Sequence, residues 1–252
     1  MSSNSDERAE NEKYKVFIDA QLKENADLFC GLRREKQLDY IFPKIRSDVE
    51  AGSKNLLDLC CGYGRLIHFL ADEFQTLSIH GIDYLESLIA QAKSQFKGNP
   101  KLTFEAGNAY DISKTHGRDF DITVIHKTLS WLPYYENILL EALKVTKKKI
   151  YITSLFWDGD IDFITKIFKQ ASSNQSDNFS YINTYSLPKF TKFCLAQGAR
   201  TVSASNMNID VDLLNSGNPD QLQTFTVQTK AEQRLEFTGP LQLNWKLIEI
   251  VL

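Results

Sequence analysis

Two aspartates, spaced around a pair of glycines, are the residues of this 252-residue chain whose order points most directly to chemistry. Leu56-Leu57-Asp58-Leu59-Cys60-Cys61-Gly62-Tyr63-Gly64-Arg65 reads as a buried strand running into a Gly-x-Gly turn that opens a helix. Glycine lets a backbone approach a ligand closely, and such a turn aims N–H groups at a nucleotide lying over the carboxyl ends of the strands. Asp58 stands four positions before Gly62, where a carboxylate favours a cationic group such as an amine or a sulfonium. In Gly81-Ile82-Asp83 a second strand closes nineteen residues after Gly64, the placement at which a carboxylate accepts both hydroxyls of a ribose. Asp83 is equally placed to cap the helix that follows, and Tyr84 to lean on a base.

Further along, Phe104-Glu105-Ala106-Gly107-Asn108-Ala109 ends a third strand, and Phe120–His126 forms a fourth. His126, at the end of that strand, is the candidate general base, because histidine titrates near neutrality. Trp131, Tyr134 and Tyr135 follow it, and Phe156 and Trp157 follow the end of the fifth strand, with Asp158 and Asp160 close behind. Loops at these strand ends are where binding residues gather, so Trp131, Tyr134, Tyr135 and Trp157 are the candidate walls of a substrate pocket. His68, His80 and His116 fall on a helix, within a strand and in a polar loop, and no His–Cys spacing marks a metal site. No metal is expected.

The elements that must hold these residues follow from periodicity. Asn55–Cys60, Arg65–Phe74, Leu77–Asp83, Tyr84–Phe96 and Lys101–Ala106 alternate as strand, helix, strand, helix and strand, the βαβαβ rhythm of an open parallel sheet. Leu85, Leu88, Ile89, Ala92 and Phe96 make one apolar helical stripe opposite Glu86, Gln91 and Lys93. A helix over Glu136–Thr146 and a strand over Lys149–Leu155 continue the pattern. Gly159–Ala171 then reads as helical, and Ser186 and Gly198 bracket a further helix as N-cap and C-cap. Strands over Thr201–Asp212, Thr224–Thr229, Arg234–Thr238 and Gln242–Ile250 suggest an antiparallel finish. Upstream, Tyr14, Phe17, Ile18 and Leu22, then Leu38, Ile41, Phe42 and Ile45, predict two helices ahead of the first strand, whereas residues 1–13 lack large apolar side chains and read as a mobile tail.

Composition narrows the function. The chain is 42% hydrophobic and 24% charged, as soluble domains are, and at this length it buries roughly 75% of its unfolded surface without a disulfide or metal. A net charge of -3 gives no basic footprint for a nucleic-acid backbone. Four cysteines without Cys-x-x-Cys spacing, no signal-like segment and no membrane-length apolar run predict a cytoplasmic protein with no membrane partner. Oligomeric state is not readable.

The Asp58–Gly64 turn resembles motif I of the class I S-adenosylmethionine-dependent methyltransferases, acidic-x-Gly-x-Gly-x-Gly, with Cys60 in place of the first glycine. Gly107-Asn108-Ala109 resembles the family's Gly-Asp-Ala segment at the adenine, Asn108 keeping an acceptor for the exocyclic amine, and Phe120–Pro133 its fourth strand and following loop. The resemblance spans about residues 50–160. It implies an α/β fold with an open, mostly parallel seven-stranded Rossmann-like sheet, an antiparallel C-terminal strand and N-terminal lid helices, as a single domain over 14–252: helices over 14–50, a cofactor-binding half over 51–156 and a substrate-side insertion with the last strands over 157–252. It implies S-adenosylmethionine as cofactor, held by Asp58, Cys60, Gly62, Gly64, Asp83, Tyr84, Asn108, Ala109 and His126. The Asn/Asp-Pro-Pro-aromatic element of nucleic-acid amino-methyltransferases, the Cys–Pro loop of cytosine-C5 enzymes and the paired-glutamate loop of protein arginine enzymes are not present after strand four. A small polar metabolite, methylated at oxygen or nitrogen, is the expected substrate. Two alternatives are an NAD(P)-dependent oxidoreductase, weakened because Arg65-Leu66-Ile67 supplies no third glycine, and a non-catalytic S-adenosylmethionine-binding module.

Overall fold

The computed structural model describes residues 35–168, 179–214, 223–231 and 233–252. The tail at 1–13 and the helix expected around Tyr14 and Phe17 lie outside the described residues.

Strand β1 (Asn55–Leu59) is the axis of the sheet. It pairs in parallel with β2 (Ser78–Asp83) on one side and β4 (Phe120–His126) on the other, and β3 (Leu102–Ala106) extends the β2 edge. β5 (Thr146–Trp157) joins β4 in parallel. The final strand β13 (Trp245–Val251) is inserted antiparallel between β5 and β9 (Thr201–Asn206), giving the order β3-β2-β1-β4-β5-β13-β9. A short β8 (Tyr185–Ser186) adds to the end of β5. Strand order reverses between β1 and β4, and the carboxyl ends on either side of that reversal open the crevice in which sheets of this kind bind ligands.

Period-2 alternation decides which face each residue serves. Leu56, Ile122, Val124 and Tyr151 enter the core beneath α1 (Leu38–Glu50), α2 (Arg65–Glu73) and α3 (Glu86–Gln95). Leu57, Leu59, Ile125 and Ile152 enter the opposite core with α4 (Glu136–Val145) and α5 (Leu187–Ala196). Helix α1 buries the four residues its spacing nominates, Leu38, Ile41, Phe42 and Ile45, and contains Pro43. It is also tethered by charge: Tyr151 Oη donates to Asp48, and Lys149 Nζ lies 2.8 Å from Asp48 and 2.9 Å from Glu249 of β13. Ser186 caps α5 by accepting the Lys189 N–H at 3.2 Å, and Gly198 follows that helix at φ +98°.

Three sequence expectations give way. The segment from Gly159 is not helical. Phe163 bridges to Thr184, and Lys166–Phe168 form β6 against β7 (Phe179–Tyr181), while 169–178 lie outside the described residues. The Asp162 carboxylate accepts the N–H of Ser186 at 2.8 Å, so this stretch satisfies its neighbours' backbone rather than its own helical ladder. The strand expected over Thr201–Asp212 stops at Asn206. That expected over Gln242–Ile250 is split: Leu241–Gln242 (β12) completes a small antiparallel sheet with β10 (Thr224–Gln228) and β11 (Arg234–Thr238), and β13 begins afresh at Trp245.

Candidate active site

The glycine turn is built from backbone geometry that few residues tolerate. Cys60, Gly62 and Gly64 all adopt positive φ, at +66°, +57° and +86°. Gly64 opens α2, and a Cβ there would sit 2.8 Å from Phe96 Cε2 and 3.1 Å from Phe104 Cε1, two rings stacked at 5.4 Å beneath the turn. Gly62 differs, since a Cβ on it would meet nothing within 4 Å. The turn is packed from below at Gly64 and open at Gly62. Cys60 holds a left-handed conformation that costs a side-chain-bearing residue about 1–2 kcal/mol.

Asp83 locks the second strand to this turn. One carboxylate oxygen accepts the Gly62 N–H at 2.8 Å and the other the Leu85 N–H at 3.0 Å, so it serves both the turn and the start of α3. Its carbonyl accepts the Gly107 N–H at 2.9 Å, and Asn108 Oδ1 accepts the Tyr110 N–H at 3.0 Å, which fixes the Gly107-Asn108-Ala109 segment beside it. Asp58 is fully buried under the turn, and its Oδ2 has no hydrogen-bond partner. Burial, and then the nearby Asp83 charge, push the Asp58 carboxyl up to about 8. Burial also raises Asp83, against the pull of its backbone donors. Two carboxylates in so dry a site favour a cationic ligand.

Across the crevice, His126 ends β4. Its Nδ1 lies 2.7 Å from Thr153 Oγ1 of β5, and its Nε2 lies 3.5 Å from the Glu35 carboxylate. Arg65 reaches Glu35 at 3.0 Å, and Lys127 contacts the same carboxylate while its ammonium lies 5.2 Å from the centre of the Trp245 ring. Burial works to raise Glu35, but its contacts with His126 and Lys127 outweigh it and hold the carboxyl well below the usual range. Burial lowers His126, which keeps the imidazole neutral near pH 7. Lys127 is held at φ +54°, with its N–H donated to Thr153 O at 2.9 Å. Backbone strain of this kind concentrates at functional sites.

The aromatic candidates separate. Trp131 and Tyr134 are each 38% exposed, whereas Tyr135 is only 5% exposed. Tyr135 packs at 5.0 Å against both Tyr185 and Phe190, a core position set by the phase at which α4 begins. Trp157 is half-buried, with its ring 5.2 Å from Phe163 and its indole N–H donated to the Ile161 carbonyl. Tyr84 and Ala109 stand at the ends of β2 and β3, Ala109 buried. Sequence reading missed Glu35, whose role depends on where the chain enters α1, and the pair Asn183 and Tyr185. Asn183 Nδ2 donates to Leu132 O at 2.7 Å and Tyr185 Oη to Leu129 O at 3.1 Å, fixing the loop that carries Trp131. A separate groove of about 390 Å³, lined by Asp158, Leu187, Pro188 and Lys192, shares no residue with the glycine turn.

Known proteins share this architecture. A family model described as a methyltransferase domain matches residues 56–149, from β1 into β5. A search of curated proteins finds no significant sequence match. Among solved structures, the 1,6-didemethyltoxoflavin-N1-methyltransferase of Burkholderia thailandensis, with bound 1,6-didemethyltoxoflavin and S-adenosylhomocysteine, superposes with a TM-score of 0.58 at 11% identity, covering 100% of this chain and 91% of that one. The magnesium protoporphyrin IX methyltransferase of Synechocystis PCC 6803, with bound S-adenosylmethionine, gives 0.54 at 11% identity over 94% of this chain and 96% of that one. At such identities the likeness is one of fold. The domain match over the glycine turn and its flanking strands marks residues 56–149 as a methyltransferase domain, and the fold around it is the one these S-adenosylmethionine-dependent methyltransferases share.

Proposed function

We propose that the chain methylates oxygen or nitrogen of a small polar metabolite at the carboxyl ends of β4 and β5. The reading is carried by His126, a part-buried, neutral imidazole steadied by Thr153 and faced by the Glu35 carboxylate. S-adenosylmethionine bound there would supply an electrophilic methyl on a sulfonium for in-line attack by the acceptor. Asp58, Cys60, Gly62, Gly64, Asp83, Tyr84, Asn108 and Ala109 are assigned to hold the cofactor. The open space over Gly62, the Asp83 carboxylate and the partnerless Asp58 oxygen fit a ligand with ribose hydroxyls and positive charge.

When the acceptor is a hydroxyl, His126 takes its proton, and Glu35, 3.5 Å from Nε2, stabilises the imidazolium that results. Arg65 and Lys127 hold Glu35 in place. Trp131, Tyr134 and Trp157 are assigned as walls around the acceptor, with Tyr135 supporting them from the core. A metabolite rather than a nucleic acid is favoured by the net charge of -3, and among the described residues no helix is long and apolar enough to cross a membrane.

The test is a panel of small metabolites incubated with methyl-labelled S-adenosylmethionine, following label transfer and S-adenosylhomocysteine release. Transfer to a small hydroxyl or amine acceptor is expected. Cofactor binding with no transfer across the panel, together with capture of a stable protein partner, would instead assign a non-catalytic binding module.

A further inference from the structure

His80, Glu105 and His116 are far apart in sequence, and none has a place in methyl transfer. The fold brings them together at the β2–β3 edge: His80 lies in β2, Glu105 in β3, and His116 in the loop leading to β4. Their ligating atoms all lie within 4.8 Å of one another. Nε2 of His116 is 3.2 Å from Glu105 Oε2, and Nε2 of His80 is 3.5 Å from the same oxygen. Donors bound at about 2.0–2.1 Å around a tetrahedral zinc stand about 3.3–3.4 Å apart, so these separations are already those of a coordination shell.

Two further observations point to a cation. His80 Nδ1 lies 2.6 Å from Thr103 Oγ1, the orienting contact that metal-bound histidines make with their second nitrogen; with Nδ1–H donating to that hydroxyl, Nε2 is the free ligand atom on the cluster side. That Nε2 is buried without a hydrogen-bond partner. The Phe120 ring, stacked 5.9 Å from the His80 ring, supplies an apolar wall. Both imidazoles line a cavity of about 310 Å³ bounded by Pro100, Lys101 and Asp119, which leaves room for water as a fourth ligand.

We propose that His80, Glu105 and His116 bind a divalent transition ion of the zinc type, clamping the loop before β4 onto the β2–β3 edge, apart from the methyl-transfer site. Two imidazoles and one carboxylate suit zinc or cobalt(II), whereas magnesium and calcium prefer all-oxygen shells.

The test is a titration of the full, metal-stripped chain with cobalt(II), followed by visible spectroscopy and then displacement by zinc. One equivalent should bind with the d–d bands of a four-coordinate nitrogen–oxygen site, and zinc should raise the thermal midpoint. His116→Gln, in the loop, and Glu105→Gln should each weaken zinc at least about tenfold while far-UV circular dichroism and cooperative urea unfolding stay parental. The proposal falls if no cobalt bands appear, if thiolate charge-transfer bands show cysteine ligation instead, or if His116→Gln leaves affinity unchanged. None of these readouts depends on methyl transfer.

Discussion

Asp83 and Gly62, twenty-one positions apart, are joined by a 2.8 Å hydrogen bond from the glycine N–H to the carboxylate, so the end of β2 sets the shape of the turn after β1. Asp83→Ala removes this bond and the one to Leu85. Urea unfolding should show a loss of about 1–3 kcal/mol, and calorimetry a weaker S-adenosylhomocysteine affinity. Parental affinity in a destabilised variant would make Asp83 a structural tie alone.

Gly62 and Gly64 separate cofactor space from packing. Gly64→Ala meets Phe96 and Phe104 from a backbone already at φ +86°, and should destabilise the free protein by about 2 kcal/mol or more. Gly62→Ala carries the left-handed penalty of about 1 kcal/mol but no clash. It should fold with a modest loss of stability and lose S-adenosylhomocysteine binding disproportionately. Equal losses of affinity at equal losses of stability would contradict this division.

The Asp58 carboxyl has a definite pH signature. Its folded value of about 8 lies above its unfolded one, so the folded chain binds the extra proton between the two. The stability Asp58 contributes is full below its unfolded pKa and is lost as pH rises through about 8. Asp58→Asn should therefore gain stability relative to the parent on going from about pH 6 to about pH 9, read as the difference between the two urea midpoints. A difference that does not change with pH would show that Asp58 titrates normally.

His126 and Trp157 divide chemistry from recognition. For a hydroxyl acceptor, His126→Ala should lower kcat about 100–10,000-fold, and the acidic limb of the pH–rate profile should disappear. Trp157→Ala should act mainly on KM for the acceptor and leave S-adenosylhomocysteine affinity near parental. Tyr135→Ala, by contrast, opens the core at Tyr185 and Phe190, and should cost about 3–5 kcal/mol in unfolding before any kinetic effect is read. Parental turnover in both His126→Ala and Trp157→Ala would move the acceptor elsewhere.

Asp48 ties the first described helix to the sheet. Removing its carboxylate strands the Tyr151 hydroxyl and leaves Lys149 with Glu249 alone. Asp48→Ala should cost about 1–3 kcal/mol in urea unfolding, and Asp48→Asn should recover part of that by accepting from Tyr151. No change in either variant would make the tether incidental.

The strand starting at Asn55, the turn at Gly62 and Gly64, the carboxylate at Asp83 and the alternation of helix with parallel strand were determined by the sequence alone. Each is a local demand: an unbroken apolar run, a positive φ, a helical stripe next to a strand. The tertiary structure decided what no local pattern encodes. It set Tyr135 inward and Tyr134 outward, because the phase of a helix start is fixed by packing against Tyr185 and Phe190 rather than by residue type. It denied a helix to the segment after Gly159, because Phe163 and Asp162 found partners in the chain around Thr184 and Ser186. It gave His126 the company of Glu35, Arg65 and Lys127, and it placed His80, Glu105 and His116 around one point. Side chains scattered along a sequence converge only once strand order and register are set, and those depend on the pairing energy of the whole sheet.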